Sequence, residues 1–402
     1  MALCDLKTRC VFALILCFTL ANSTSAAEWD ELILDGYQQA YNLDYDAAIT
    51  TFERAVEMQP NNSAGYRGVA SALWLRLLFS RGNVLVDNYL IGSFRGPQAD
   101  DENVPEDIDL RFQQHIDRAI ELAEAALTEA PNDPDAHYEL GLSVGLLASY
   151  RASIRGESLR AVLTAKRAYD AHQRVLELDP SRDDAKFLVG IYRYIVSVLP
   201  RLFRLVARLV GFDGGKNEAM AMVTAAASHP GKSQAEAQFA LVLLLNRERE
   251  YVRARQILEL LLKDYPKNRL VWLELASTWL RDKRPAMAEL TLTHGFRRLQ
   301  GDDRVRMFGE GPMWYLKRGT ARASLGLYES AQGDLMRAAK GPGAIWVSGR
   351  AHLELGKIAD LAGDRELAQL YYSRGRHLCD DVNDRRCERE SDRLRNTPYR
   401  GQ

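Results

Sequence analysis

A period of about 34 residues dominates this chain and leaves it few folds to adopt. Ala254, Leu258 and Leu261 come back as Ala288, Leu292 and Gly295, each displaced by the same interval. A unit of that length is one helical hairpin whose apolar face cannot be buried alone, so copies must stack into a solenoid. Solenoids present a long concave surface, and the period therefore speaks of binding before it speaks of chemistry.

The first copy carries the fullest set of marks: Gly36, Ala48, Phe52, Ala55 and Pro60. This set resembles the tetratricopeptide repeat, in which a small residue on each helix lets the pair approach closely. A large residue fills the gap, and a proline ends the second helix because it cannot continue the hydrogen-bond ladder. Later copies show His137, Leu140, Gly141, Ala168 and Pro180, then Lys186, Val189, Gly190, Ala219 and Ala226. Tyr251, Ala254 and Pro266 mark another, followed by Trp272, Ala276 and Ala288, by Gly319, Ala331 and Leu335, and by Leu355, Gly356, Ala368 and Tyr372. A further pair spans Ser63–Ser80 and Phe112–Ala130. The expected fold is all-α, a right-handed superhelical solenoid of about eight tetratricopeptide-like hairpins over residues 28–378.

The spacing of the second-helix alanines is uneven. From Ala48 to Ala119, Ala168 and Ala219 the steps are long, whereas Ala254, Ala288, Ala331 and Ala368 follow at near-regular intervals. Insertions are therefore expected in the N-terminal half, near 81–110, 156–160 and 199–215, and insertions in solenoids project from one face and often carry function. Residues 379–402 read as a C-terminal clip and tail.

Residues 1–27 read as a cleavable secretory signal: Lys7 and Arg9 precede the apolar run Val11–Leu20, and small residues lead to Ala27. The run is shorter than the roughly 20 residues a membrane-spanning helix requires. Leu16 before Cys17 argues against a lipoprotein signal, which wants a small residue there. The expectation is an exported, periplasmic protein, with an uncleaved anchor as the lesser alternative. Removing the signal leaves Cys379 and Cys387, and an even count in an exported chain favours a disulfide between them.

Charge is balanced at 53 basic and 54 acidic residues, which gives no reason to expect nucleic acid as a partner. Chemistry-bearing motifs fail their tests. Gly211–Asn217, GFDGGKN, lacks both the spacing and the hydroxyl residue of a phosphate loop. The seven histidines are scattered, and His137, His172 and His352 sit at packing positions of the repeat. No metal-spaced Cys/His group or nucleophile elbow is present, so neither cofactor, metal nor catalytic residue is expected.

The segment Tyr192–Met220, YRYIVSVLPRLFRLVARLVGFDGGKNEAM, has a distinctive order of helix, Leu-Pro break, amphipathic helix and glycine turn. It resembles part of the fungal inclusion-body clearance proteins, their animal tetratricopeptide relatives and exported bacterial repeat proteins. No catalytic residue comes with that resemblance. Within the segment, Leu202, Leu205, Val206 and Leu209 share one helical face while Arg201, Arg204 and Arg208 share another. A basic amphipathic helix over Leu199–Val210 suits a membrane surface. Packing on neighbouring repeats is the favoured expectation, because a solenoid supplies a ready partner for the apolar stripe.

In the repeat class that the chain resembles, the first helix of each pair lines the concave groove with the second, fifth, ninth and twelfth positions of the unit. Carried onto this chain, that register selects Tyr37, Tyr138, Leu142, Phe187, Ile191, Tyr194, Phe239, Leu243, Asn246 and Leu273 as partner-binding residues. An aromatic groove suits a peptide or a partner helix, unless the insertions fold back and turn those residues into core. The function expected is a non-catalytic exported scaffold for a protein or peptide partner in the cell envelope. The alternative is a carrier of a small apolar ligand, roofed by the insertions.

Overall fold

The computed structural model describes residues 27–90, 104–209, 211–212, 214–231 and 233–401. The signal segment therefore lies outside the described residues except for Ala27, as do 91–103 of the first insertion.

Eight helical hairpins follow one another along the described chain. They are α1 (27–41) with α2 (Tyr45–Met58), α3 (Ser63–Ser80) with α5 (Glu106–Glu129), and α6 (Pro134–Ser153) with α7 (Ser158–Leu178). Between α3 and α5 lies the short α4 (Val86–Leu90). Next come α8 (Lys186–Val198) and α10 (Lys216–Ser228), with α9 (Arg201–Leu209) looped out between them, then α11 (Gln234–Arg247) with α12 (Tyr251–Asp264). The last three are α13 (Arg269–Arg281) with α14 (Pro285–Gln300), α15 (Glu310–Ser324) with α16 (Tyr328–Lys340), and α17 (Ile345–Leu361) with α18 (Arg365–Asp381). A single helix, α19 (Arg385–Asn396), packs on α18. The predicted all-α repeat solenoid is the fold observed. The insertion expected near 156–160 amounts only to the turn before α7.

Local chemistry sets the boundaries. The side chains of Asn62, Asp133, Asn268, Asp364 and Asp384 each accept a backbone N–H at a helix start, satisfying donors that have no partner inside the helix. The hairpin turns reverse through one left-handed residue. Gly326 and Gly363 adopt it freely, but Leu43, Arg249, Lys283 and Asn383 do so with φ between 56 and 69°.

Phe52 shows why the repeat marks take the residue types they do. Its ring is fully buried in a slot between α1 and α3, and a methyl group on Gly36 would come within 2.6 Å of it. Gly68 faces the same ring from α3. Tyr372 is held against Gly356 in the same way.

Successive hairpins stack into a curve tight enough to bring the first repeat against the fifth, sixth and seventh. Asn268 Nδ2 donates to the Tyr41 carbonyl at 2.7 Å, and Lys267 N–H donates to Asn42 Oδ1 at 3.0 Å. Arg304 reaches the Asn42 carbonyl at 2.6 Å and Asp44 at 2.9 Å. Tyr45, Phe79 and Leu85 share an apolar cluster with Leu273, Trp314 and Trp346, which lie hundreds of residues further along. The N-terminal repeats thus occupy part of the space that an open solenoid would leave as groove.

The disulfide joins Cys379 at the end of α18 to Cys387 in α19. Asp384 lies close to both sulfurs, but its carboxylate caps α19 and pairs with Arg350 at 2.7 Å.

Candidate partner-binding face

The first helices of the repeats converge on two charged clusters along the inner face. In the first, Arg67 of α3 donates to Glu139 of α6 at 3.1 Å and to the Tyr37 hydroxyl at 2.5 Å. Tyr138 donates to Ser233 Oγ at 2.9 Å, and Tyr41 lies against Phe239 and Tyr265 with ring centroids 5.7 and 5.4 Å away. Burial pushes the Tyr37 phenol up to about 12, against the pull of Arg67. Burial also raises the Glu236 carboxyl, with Arg67 opposing.

The second cluster centres on Asp87, carried by α4 within the first insertion. Only 4% of it is exposed. Lys317 of α15 donates to its carboxylate at 2.6 Å, Arg281 of α13 approaches at 3.0 Å, and Arg350 of α17 stands at 3.8 Å. Burial alone would raise this carboxyl. Lys317, Arg281 and Arg350 together override burial and hold it far below the usual carboxylate range. Arg281 is in turn shared with Glu274 at 2.7 Å and with Asn246 at 2.8 Å. Beside Asp87, Asn88 donates to the Gly82 carbonyl at 2.5 Å, and Leu85 enters the apolar cluster of the last repeats.

The ten residues assigned to partner binding divide into two groups. Tyr37, Tyr138, Tyr194, Asn246 and Leu273 are buried by the chain itself. Tyr194 donates to Glu248 at 2.7 Å, and Leu273 packs among the residues that receive Leu85. The others keep partial exposure: Leu142, Phe187, Ile191, Phe239 and Leu243. Phe239 is engaged by Tyr41 and Tyr265, Phe187 and Ile191 (α8) pack against the cluster around Tyr194 and Leu241, and Leu142 (α6) packs against Tyr138 and Val175, so these side chains are partly covered by the chain itself, as is Leu243 (α11).

Sequence reasoning passed over Asp87, Arg281 and Lys317. The register selects no residue of the last repeat, so Arg350 is unmarked as well. Asp87 sits in an insertion, where no register applies.

The amphipathic helix corrects an expectation. Packing of its apolar stripe on neighbouring repeats was favoured, but α9 has no buried residue. Leu202, Phe203, Leu205, Val206 and Leu209 are all more than half exposed. The reason is topological: α8 pairs directly with α10, so the place beside α8 is taken and α9 is displaced from the stack.

Two tetratricopeptide-repeat family models match the chain, one over residues 235–278 and another over 108–144. The first match covers α11, α12 and most of α13; the second covers most of α5 and the first half of α6. Among curated proteins, none matches. Similar solved structures include a tetratricopeptide repeat protein from Parabacteroides merdae ATCC 43184. It is 14% identical, covers 81% of this chain and 98% of its own, and has a TM-score of 0.33. The human IFIT1 dimer with m7Gppp-AAAA is 12% identical, covers 92% of this chain and 87% of its own, and has a TM-score of 0.41.

Proposed function

We propose that this chain, which matches tetratricopeptide-repeat family models over residues 108–144 and 235–278, is an exported, non-catalytic scaffold that binds a protein or peptide partner in the cell envelope through its inner face. One observation supports the reading. The inner face of the last repeats already holds a polypeptide, the chain's own segment around Asp87, by drawing a carboxylate among Arg281, Lys317 and Arg350. A face that seats one segment through charge and apolar contacts has the properties of a peptide-binding surface. Leu142, Phe187, Ile191 and Leu243 are where a partner would add to it, since those first-helix side chains are only partly covered. Export rests on the charged, apolar and small-residue order of residues 1–27.

The test is native mass spectrometry of the protein purified gently from its own envelope, beside a Phe187→Glu/Ile191→Glu variant. A co-purifying polypeptide present with the original chain and absent with the variant supports the scaffold. A lipid-sized mass, or a polypeptide that the variant retains, overturns the inner-face reading.

A further inference from the structure

We infer that α9 docks the protein flat onto an anionic bilayer surface. The helix reads RLFRLVARL, with three arginines and no acidic residue. At 3.6 residues per turn, Leu202, Leu205, Val206 and Leu209 fall within an arc of about 100°. Arg201, Arg204 and Arg208 occupy the adjoining arc. The two residues of the helix that are partly covered, Arg204 and Ala207, lie roughly opposite the leucine stripe. Arg204 donates to the Leu199 carbonyl at 3.1 Å, and Ala207 packs near Phe212. The helix is therefore held by its small and polar side, with its apolar face turned outward. Leu209 is 80% exposed and Leu202 69%. A helix serving only the solenoid core would be turned the other way.

The mount is firm. Phe212, just beyond α9, is buried against Tyr169 and Tyr192, with ring centroids 5.3 and 6.2 Å away. A second exposed apolar set lies on α7. Leu159, Val162 and Leu163 of α7 are all exposed, and Lys166, one turn further along, lies over the Phe212 ring.

Charge selects the occupant. A second copy meeting α9 face to face would bring two arginine rows together with no carboxylate on either helix to neutralise them. Anionic headgroups supply that neutralisation at Arg201 and Arg208, which flank the stripe, while acyl chains receive the leucines. At roughly 14 Å the helix is too short to cross a membrane and suits an interfacial position.

The experiment is flotation of the full chain lacking residues 1–27 with two kinds of vesicle. One is pure phosphatidylcholine and the other an equal mixture with phosphatidylglycerol. Binding to the mixed vesicles only, weakening with added salt, is expected. A Leu205→Glu/Leu209→Glu variant should lose at least about tenfold in affinity. Because both side chains are exposed, its circular dichroism should match the original. Arg201→Gln/Arg208→Gln should reduce binding to the mixed vesicles without changing the fold. Failure of the original chain to float with mixed vesicles overturns the inference, as does undiminished binding by the leucine variant. Loss of self-association in that variant, seen by sedimentation without any vesicle binding, would assign the patch to a second copy instead. None of these outcomes depends on Phe187 or Ile191, so this inference stands or falls separately from the inner-face reading.

Discussion

Asp87 and Lys317 stand 230 residues apart in sequence and form a 2.6 Å ion pair with both side chains buried. The pair joins the first insertion to the seventh repeat. Asp87 also faces Arg281 and Arg350, so the carboxylate is the common counter-charge for three cations. Removing it should cost more than removing any one cation. Asp87→Ala is expected to lose about 3–5 kcal/mol in urea denaturation, the range for an uncompensated buried charge. Lys317→Met should lose less, because two guanidiniums still face the carboxylate. The reverse order would show that the cluster is not organised around Asp87. The sign with pH follows from its depressed pKa. The stabilisation is complete above the unfolded carboxyl value, near 4, and is lost as pH falls below it toward the folded value.

His172 should dominate stability over milder acid. It is fully buried, its Nδ1 proton goes to the Ala168 carbonyl at 3.0 Å, and its Nε2 has no partner. Burial lowers its pKa to about 4. The folded protein keeps the ring neutral, whereas the unfolded chain protonates it near 6.5. Stability is therefore undiminished above pH 7 and should fall between about 6.5 and 4, by on the order of 3 kcal/mol. His172→Gln should flatten that part of the curve, at the price of a lower plateau at neutral pH. Urea titrations at several pH values would read both effects.

Gly36→Ala tests the close approach of the first helical pair. The added methyl group would meet the Phe52 ring at 2.6 Å, and the ring is already confined by Gly68. A loss of about 1–3 kcal/mol is expected from overpacking. Phe52→Leu in the same chain should recover part of it, giving a favourable coupling in a double-mutant cycle. Purely additive losses would mean that the ring is not the obstacle.

Lys283→Gly should stabilise. Lys283 is exposed and holds φ at 56° in the turn between α13 and α14. The left-handed conformation costs a residue with a β-carbon about 1–2 kcal/mol. Glycine gives part of that back through its larger unfolded-state entropy. A net gain of roughly 0.5–1 kcal/mol is expected, read as a shift of the denaturation midpoint with unchanged slope.

How far the sequence revealed this structure depended on the range of each interaction. Ala48, Phe52, Gly356 and Tyr372 were legible because close helix approach within a hairpin demands a small residue facing a large one. The Cys379–Cys387 pair was legible from its count and spacing. The meeting of Tyr41 with Tyr265, and of Asp44 with Arg304, was not. Those contacts depend on curvature accumulated over several repeats, and no single unit encodes it. The α9 pattern was read correctly as amphipathic, but periodicity does not say which face a neighbour will cover. That was decided by α10 taking the place beside α8. The partner-facing register likewise identified first-helix positions without showing that Tyr37, Tyr138 and Leu273 would be claimed by distant parts of the same chain.

The contacts of Arg304 with Asn42 and Asp44 give the first hairpin the role of a keystone. Many repeat arrays can be shortened unit by unit, because each unit needs only its neighbours. Here, trimming α1 and α2 would strip partners from Lys267, Asn268 and Arg304 in the middle of the array as well as from α3 at its edge. During synthesis, Asp44 must wait for 260 further residues before Arg304 arrives. The opening hairpin is thus among the earliest segments made and among the last to be completed.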